Sequence, residues 1–193
     1  MRRGILGGTF DPPHVAHLVA AETAYRQLAL DVVTLMPAGD PWQKADRRVS
    51  APVHRLAMAE LAASGVDYFE VDDREVRRPG PTYTNETIGS FPAEDDIVLV
   101  LGADAAAGLA GWHRADEVTG RAGFGVMPRR GVAAAAVEAA LHPASPVWLD
   151  TPEIAISATE VRAIAARGAS IRFLVPDEVW RYVESHRLYS AGL

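Results

Sequence analysis

The chain has 193 residues, 49% hydrophobic and 23% charged, with a formal net charge of −6 and no cysteine. That length and balance predict one soluble globular domain over residues 1–193, with enough apolar material for a sizeable core. The acidic balance argues against a general nucleic-acid or membrane-surface binder, which needs a basic footprint, and the missing cysteines exclude disulfides and thiolate-held zinc.

Met1-Arg2-Arg3 and the apolar run after it could open a signal peptide, but Gly7-Gly8 and Asp11-Pro12-Pro13 break the run at once. No secretory core is therefore expected. No stretch reaches membrane-spanning length, and the expected location is the cytoplasm. From there, short apolar runs alternate with helical patterns. A strand is predicted over Gly4–Leu6, a helix over Val15–Leu28, a strand over Val32–Met36, a helix over Pro52–Ala63 and a strand over Tyr68–Val71. Then come a strand at Ile97–Leu101, a helix at Ala105–Leu109, a strand at Phe124–Met127, a helix at Val132–Leu141 and a strand at Val147–Leu149. Helices at Thr159–Ala166 and Glu178–His186 close the pattern. The strands are short and several are β-branched, as buried parallel strands are. The alternation predicts an α/β fold, a doubly wound parallel sheet with right-handed crossovers. Nothing in the pattern specifies an oligomer interface.

In such a sheet, ligands bind outside the carboxyl ends of the strands where the strand order reverses. Two predicted strand ends carry glycine there: Gly7-Gly8-Thr9-Phe10 and Gly102-Ala103-Asp104. Glycine amides without a Cβ let an anion approach closely. Pro12 and Pro13 delay the helix. His14 and His17 then fall in its first turn, on one face, where negative charge is favoured. Two imidazoles there can donate to phosphate oxygens. The loop is neither a Gly-x-Gly-x-x-Gly fingerprint nor a Walker loop. A His-x-x-His pair can also bind metal, but neither His-Glu-x-x-His nor cysteine accompanies it. Two histidines satisfied within the core remain the plain alternative.

Near the other end, Ile156-Ser157-Ala158-Thr159-Glu160-Val161-Arg162 contains a Ser-x-x-Glu capping box. It could simply start a helix. The leftover helix donors, the Ser157 and Thr159 hydroxyls and Arg162 would also make an anion site, since arginine suits bidentate phosphate contact. Among 19 basic residues Lys44 is the lone lysine. It is either a survivor of arginine bias or needed as lysine. Arg47, Arg48 and Arg55 read as surface or loop charges and stay outside the candidate site.

The string Gly-Gly-Thr-Phe-Asp-Pro-Pro-His-x-x-His at residues 7–17, with Ile-Ser-Ala-Thr-x-x-Arg at 156–162, resembles the paired signatures of the nucleotidyltransferase superfamily. The match narrows to bacterial nicotinate-nucleotide adenylyltransferases through residues 37–44 (PAGDPWQK), 78–87 (RPGPTYTNET), 102–104 (GAD), Trp112 and Arg129. The departures are Thr82 for the family's serine, Glu86 for its aspartate and Arg130 for its proline. The resemblance implies a Rossmann-like fold and adenylyl transfer from ATP to nicotinate mononucleotide, giving deamido-NAD and pyrophosphate. Its partners are small molecules, with no nucleic acid and no membrane.

The resemblance also implies roles. His14 and His17 are the catalytic candidates. Gly8, Thr9, Phe10, His14, His17, Gly102, Asp104, Ser157, Thr159 and Arg162 would bind ATP, Asp104 through ribose hydroxyls. Gly8, Thr9, Lys44, Tyr83, Thr84, Trp112 and Arg129 would bind the mononucleotide: Lys44 and Arg129 its phosphate, Trp112 its ring, Tyr83-Thr84 its acid group. No protein ligand set for a metal is expected, and Mg²⁺ would be shared between the phosphates of ATP. Thr84 is expected to cap a short helix and Glu86 to point away, which favours the acid over the amide. The alternatives are a nicotinamide mononucleotide or phosphopantetheine acceptor on the same fold, or a nucleotide-binding sensor that turns nothing over.

Overall fold

The computed structural model describes residues 1–39 and 49–190. Six strands form one sheet: β1 Arg2–Gly8, β2 Val32–Pro37, β3 Phe69–Val71, β4 Asp96–Gly102, β5 Ala122–Met127 and β6 Pro146–Trp148. All pair in parallel, in the order β3-β2-β1-β4-β5-β6. The chain runs outward from β1 through β2 to β3, then returns to start β4 on the other side of β1. The order therefore reverses between β1 and β4, which pair from Arg2↔Asp96 to Ile5↔Leu99. The doubly wound expectation holds, and the two glycine-bearing strand ends are neighbours.

Alternate residues of each central strand enter opposite cores, as the period of a strand requires. Ile5, Ile97, Leu99, Phe124 and Val126 pack with α5 (Ala103–Ala107) and α7 (Ala134–Leu141). Leu6, Val33, Leu35, Val98 and Val100 pack with α1 (Val15–Gln27) and α2 (Pro52–Ala63). A third cluster joins Met58 and Ala62 of α2 to Val161 of α8 (Ala158–Ala166) and Val179 and Val183 of α9 (Asp177–Ser185). This last cluster docks the Ser157–Arg162 signature beside the first loop. Among the described residues, no helix is long and apolar enough to cross a membrane.

Three further helices have no counterpart in the periodicity: α3 (Arg74–Arg77), α4 (Thr84–Gly89) and α6 (Ala115–Arg121). A short helix around Thr84 was expected with Thr84 as its cap. The cap is instead Tyr83, whose backbone is still extended (φ −118, ψ 135), and Thr84 is the first helical residue. No side chain caps that helix. The predicted Ala105–Leu109 helix starts earlier, at Ala103, and ends in a 3₁₀ turn, Leu109–Gly111.

Candidate active site

β1 ends on Gly7-Gly8 and β4 on Gly102, and two cavities open at these ends. The first has a volume of ≈ 380 Å³ and a mostly apolar wall. Ile5, Met36, Ile88, Leu99, Leu101 and Trp112 form that wall, and Tyr83, Thr84, Thr82, Thr87 and Glu75 supply its polar edge. The second, ≈ 400 Å³, is lined by His14, His17, Asp104, Arg129, Ser157, Thr159 and Arg162. Thr9 lines both, so the cavities meet at the end of β1. A Cβ on Gly8 would lie 3.2 Å from the Phe10 ring, so glycine lets the loop fold tightly over that ring. Phe10 itself is 1% exposed and lines neither cavity; any nucleotide contact from it would be through its backbone.

His14 is the N-cap of α1 and His17 its third residue. The rings stack, with centroids 3.8 Å apart and planes 24° from parallel. The main-chain N–H of His14 donates to His17 Nδ1 at 3.1 Å, while the Phe10 ring packs edge-on to His17 at 5.1 Å. Burial, then the Arg129 cation, hold the His14 imidazole down to about 4, against an opposing pull from Glu160. His14 is therefore neutral near pH 7, and its buried Nδ1 has no partner. The His14 ring is one of the walls of the second cavity.

Ser157 caps α8, and its Oγ accepts from the Glu160 N–H at 3.2 Å while donating to Glu160 Oε2 at 2.7 Å. Arg162 spans the cleft floor. Its Nη1 donates to the Asp11 carbonyl at 2.6 Å and its Nη2 to Thr159 Oγ1 at 3.2 Å. The buried Asp11 carboxylate accepts from Tyr189 Oη at 2.7 Å and from the Ser50 N–H at 3.1 Å, and lies 4.0 Å from the Arg162 guanidinium. It locks the signature loop, the approach to α2, α8 and the C-terminal segment together.

The structure brings most of the expected residues to this double cavity. Gly8, Tyr83, Thr84 and Trp112 line the first part, and Asp104 stands at the mouth of the second. Gly102 lies under Asp104: a Cβ there would sit 2.6 Å from Asp104 Oδ1. Arg129 stands on the second cavity with His14 and Asp104, its Nε 4.0 Å from Asp104 Oδ1, and not on the first. Lys44 lies outside the described residues. Glu86 is half exposed and faces Arg78 at 3.4 Å, away from the cavity, as expected.

Arg55 is corrected. Read as a surface charge, it is 1% exposed. Its guanidinium donates to the carbonyls of Ser50 (3.0 Å), Thr9 (3.1 Å), Ala38 (2.5 Å) and Gly39 (2.7 Å). A five-donor fork is suited to collecting several loop carbonyls at once. Its place on the helical repeat with Met58 and Ala62 was the available signal. Glu75, Asp11 and Tyr189 also escaped the sequence reading, because their partners are distant in the chain.

A cytidylyltransferase-like family model matches residues 5–164. A protein of Bordetella petrii named "Probable nicotinate-nucleotide adenylyltransferase" is 42% identical over 193 residues, covering 97% of this chain and 98% of its own. One of the same name from Dehalococcoides mccartyi is 37% identical over 199 residues, covering 98% and 97%. Among solved structures, Plasmodium falciparum nicotinic acid mononucleotide adenylyltransferase complexed with NaAD superposes with a TM-score of 0.79 at 17% identity, covering 97% of each chain. That likeness carries the fold, and the closer relatives carry the family. With both signatures converging on one double cavity, the chain belongs to the nicotinate-nucleotide adenylyltransferases of the cytidylyltransferase-like proteins.

Proposed function

We propose that this chain transfers the adenylyl group of ATP to nicotinate mononucleotide, releasing pyrophosphate and forming deamido-NAD, a step of NAD biosynthesis. The observation that carries the reading is the meeting, at Thr9, of an aromatic-edged cavity and a cleft that presents His14, His17, Arg129 and Arg162. That layout holds a ring and a triphosphate with their phosphates facing across one short stretch of backbone.

An oxygen of the mononucleotide's 5′-phosphate attacks the α-phosphorus of ATP. The bond to the bridging α–β oxygen breaks, and its electron pair leaves with pyrophosphate. The attacking oxygen is already ionised, so no general base is required. Catalysis then consists of positioning and stabilisation of the moving charge. Gly8 and Thr9 let the two phosphates approach. His17, whose Nδ1 is an acceptor, carries its proton on Nε2 and donates from there to the α-phosphate. His14 and Arg129 meet neighbouring oxygens, and Thr159 and Arg162 hold the β and γ end. Asp104 accepts from ribose hydroxyls. Trp112 packs on the pyridine ring, and Tyr83 and Thr84 meet its acid group. Lys44 is assigned to the mononucleotide phosphate by the resemblance alone.

The cleft's donors suit a triphosphate with its cation. Imidazoles, hydroxyls and guanidinium groups line it, and among the described residues no group of three or more His, Asp or Glu side chains converges on one point. Mg²⁺ bound with ATP would supply charge neutralisation through the phosphate oxygens.

The test is pyrophosphate release from ATP and Mg²⁺ with nicotinate mononucleotide, nicotinamide mononucleotide, phosphopantetheine or flavin mononucleotide as acceptor. Turnover is expected with the pyridine nucleotides, and the dinucleotide should appear in step with pyrophosphate. Turnover with phosphopantetheine or the flavin alone, or ATP binding with no turnover at all, would overturn the reading.

A further inference from the structure

One ionisable group on the ring cavity has no part in the mechanism above. Glu75 lies in α3, and its carboxyl stands on the cavity wall among Thr82, Tyr83, Thr84 and Thr87. Thr87 Oγ1 donates to Glu75 Oε1 at 2.7 Å, and the Thr82 hydroxyl, close by on the cavity wall, favours the ionised form of the same carboxyl. These hydroxyls lie on either side of Tyr83-Thr84. The Thr84 hydroxyl has no partner among the described residues.

The backbone beneath Glu75 is firmly seated. A Cβ on Gly39 would lie 2.0 Å from the Glu75 carbonyl oxygen, so α3 packs directly on the chain leaving β2. Arg55 holds the Gly39 carbonyl from the other side at 2.7 Å. Arg78 Nη1 is 3.4 Å from both Thr87 Oγ1 and Glu86 Oε2, which places a cation beside the acidic pair. Burial pushes the Glu75 carboxyl above the ordinary range, and the two hydroxyls and Arg78 pull the other way.

We propose that Glu75 is a positioning residue that determines which threonine of the Thr82–Thr87 segment meets the acid group of the pyridine ring. A hydroxyl that donates to Glu75 has spent its proton and offers only lone pairs to the cavity. Thr87 is spent in this way. Thr84 keeps its proton and can donate to a carboxylate. Glu75 also fastens the segment just after Thr84 through Thr87, which steadies the backbone that carries it. Glutamine at this position lacks the charge and accepts through one oxygen only, and its NH₂ group seeks an acceptor, so Thr87 is held less firmly and is released to turn.

This inference rests on the cavity's being the mononucleotide site. It is tested by steady-state kinetics on the wild type, Glu75→Gln, Thr87→Val and the double variant, with melting temperatures recorded for each. Glu75→Gln is expected to raise KM for nicotinate mononucleotide about 10-fold, the loss of one charge-assisted hydrogen bond, with KM for ATP within about twofold. Thr87→Val should raise the same KM several-fold. The double variant should be no worse than Glu75→Gln, because both act through one contact. If Glu75→Gln does not fold, Thr87→Val alone decides: an unchanged KM for the mononucleotide overturns the proposal. A folded Glu75→Gln with wild-type KM values, or with both KM values raised equally, also overturns it. A wild type with no turnover on nicotinate mononucleotide removes the functional reading, and this inference with it.

Discussion

The main-chain N–H of His14 donates to Nδ1 of His17 at 3.1 Å, so the cap of α1 sets the tautomer of its third residue. The His17 proton is held on Nε2, pre-formed as a donor before any nucleotide arrives. A fixed donor aimed at developing charge stabilises a transition state more than a ground state. His17→Ala should therefore lower kcat on the order of 100- to 1000-fold, with a much smaller change in KM for ATP. Near-normal turnover of the folded variant would remove His17 from the mechanism.

Arg162 reaches across the cleft floor to the Asp11 carbonyl and to Thr159. Its planar fork makes both contacts and still faces the phosphate cleft. A lysine ammonium is a point charge that cannot reproduce that geometry. Arg162→Lys should raise KM for ATP by about 10-fold or more, the cost of a lost charge-assisted bond. Unchanged ATP kinetics in that variant would leave Ser157–Arg162 as a helix start and nothing more.

His14 predicts a pH dependence of stability. Its folded-state value is about 4, below the ordinary value of 6.5. As pH falls through 6.5 the unfolded chain takes up a proton that the folded chain refuses, so stability is lost between pH 6.5 and 4. The loss relative to a His14→Asn variant should reach about 2 kcal/mol at pH 5. Urea unfolding of both proteins at pH 7 and pH 5 measures it. Parallel losses in the two proteins would show that His14 is not buried neutral.

Arg55 joins four carbonyls around the end of β1, the end of β2 and the start of α2. Arg55→Met would strand them without a donor, and a loss of about 3 kcal/mol or more is expected in urea unfolding at pH 7. Arg55→Lys should recover only part, because one ammonium cannot span all four oxygens. A loss below about 0.5 kcal/mol, the level of an ordinary surface substitution, would contradict the buried role.

The strands and the two signatures were legible because they are local. The unbroken, partly β-branched apolar run Ile97–Leu101 announces a buried strand, and Gly7 to His17 keep their chemistry within one loop and one helix turn. Helices α3 and α6 were not legible. None of the four residues of α3 is fully buried, and in α6 only Val118 is, so neither leaves a period to read. α6 also starts from Arg114 in the left-handed region (φ 52), with no capping side chain. The Asp11–Tyr189 bond spans the length of the fold, and no local pattern encodes such a pairing. Arg55 shows the same limit in another form: a charged residue reads as surface until its partners, all backbone carbonyls, are seen.

The central claim is that the ring cavity is built for an acid. Thr84 offers a hydroxyl donor, Glu86 is turned toward Arg78 outside the cavity, and the Glu75 carboxyl accepts from Thr87. A carboxylate accepts with both oxygens, whereas a carboxamide must present an NH₂ group that meets donors badly. The most direct measurement is kcat/KM for nicotinate mononucleotide and for nicotinamide mononucleotide under one ATP and Mg²⁺ condition. The account predicts a preference for the acid of roughly 10- to 100-fold, the value of one charge-assisted hydrogen bond. Equal values, or a preference for the amide, would contradict it.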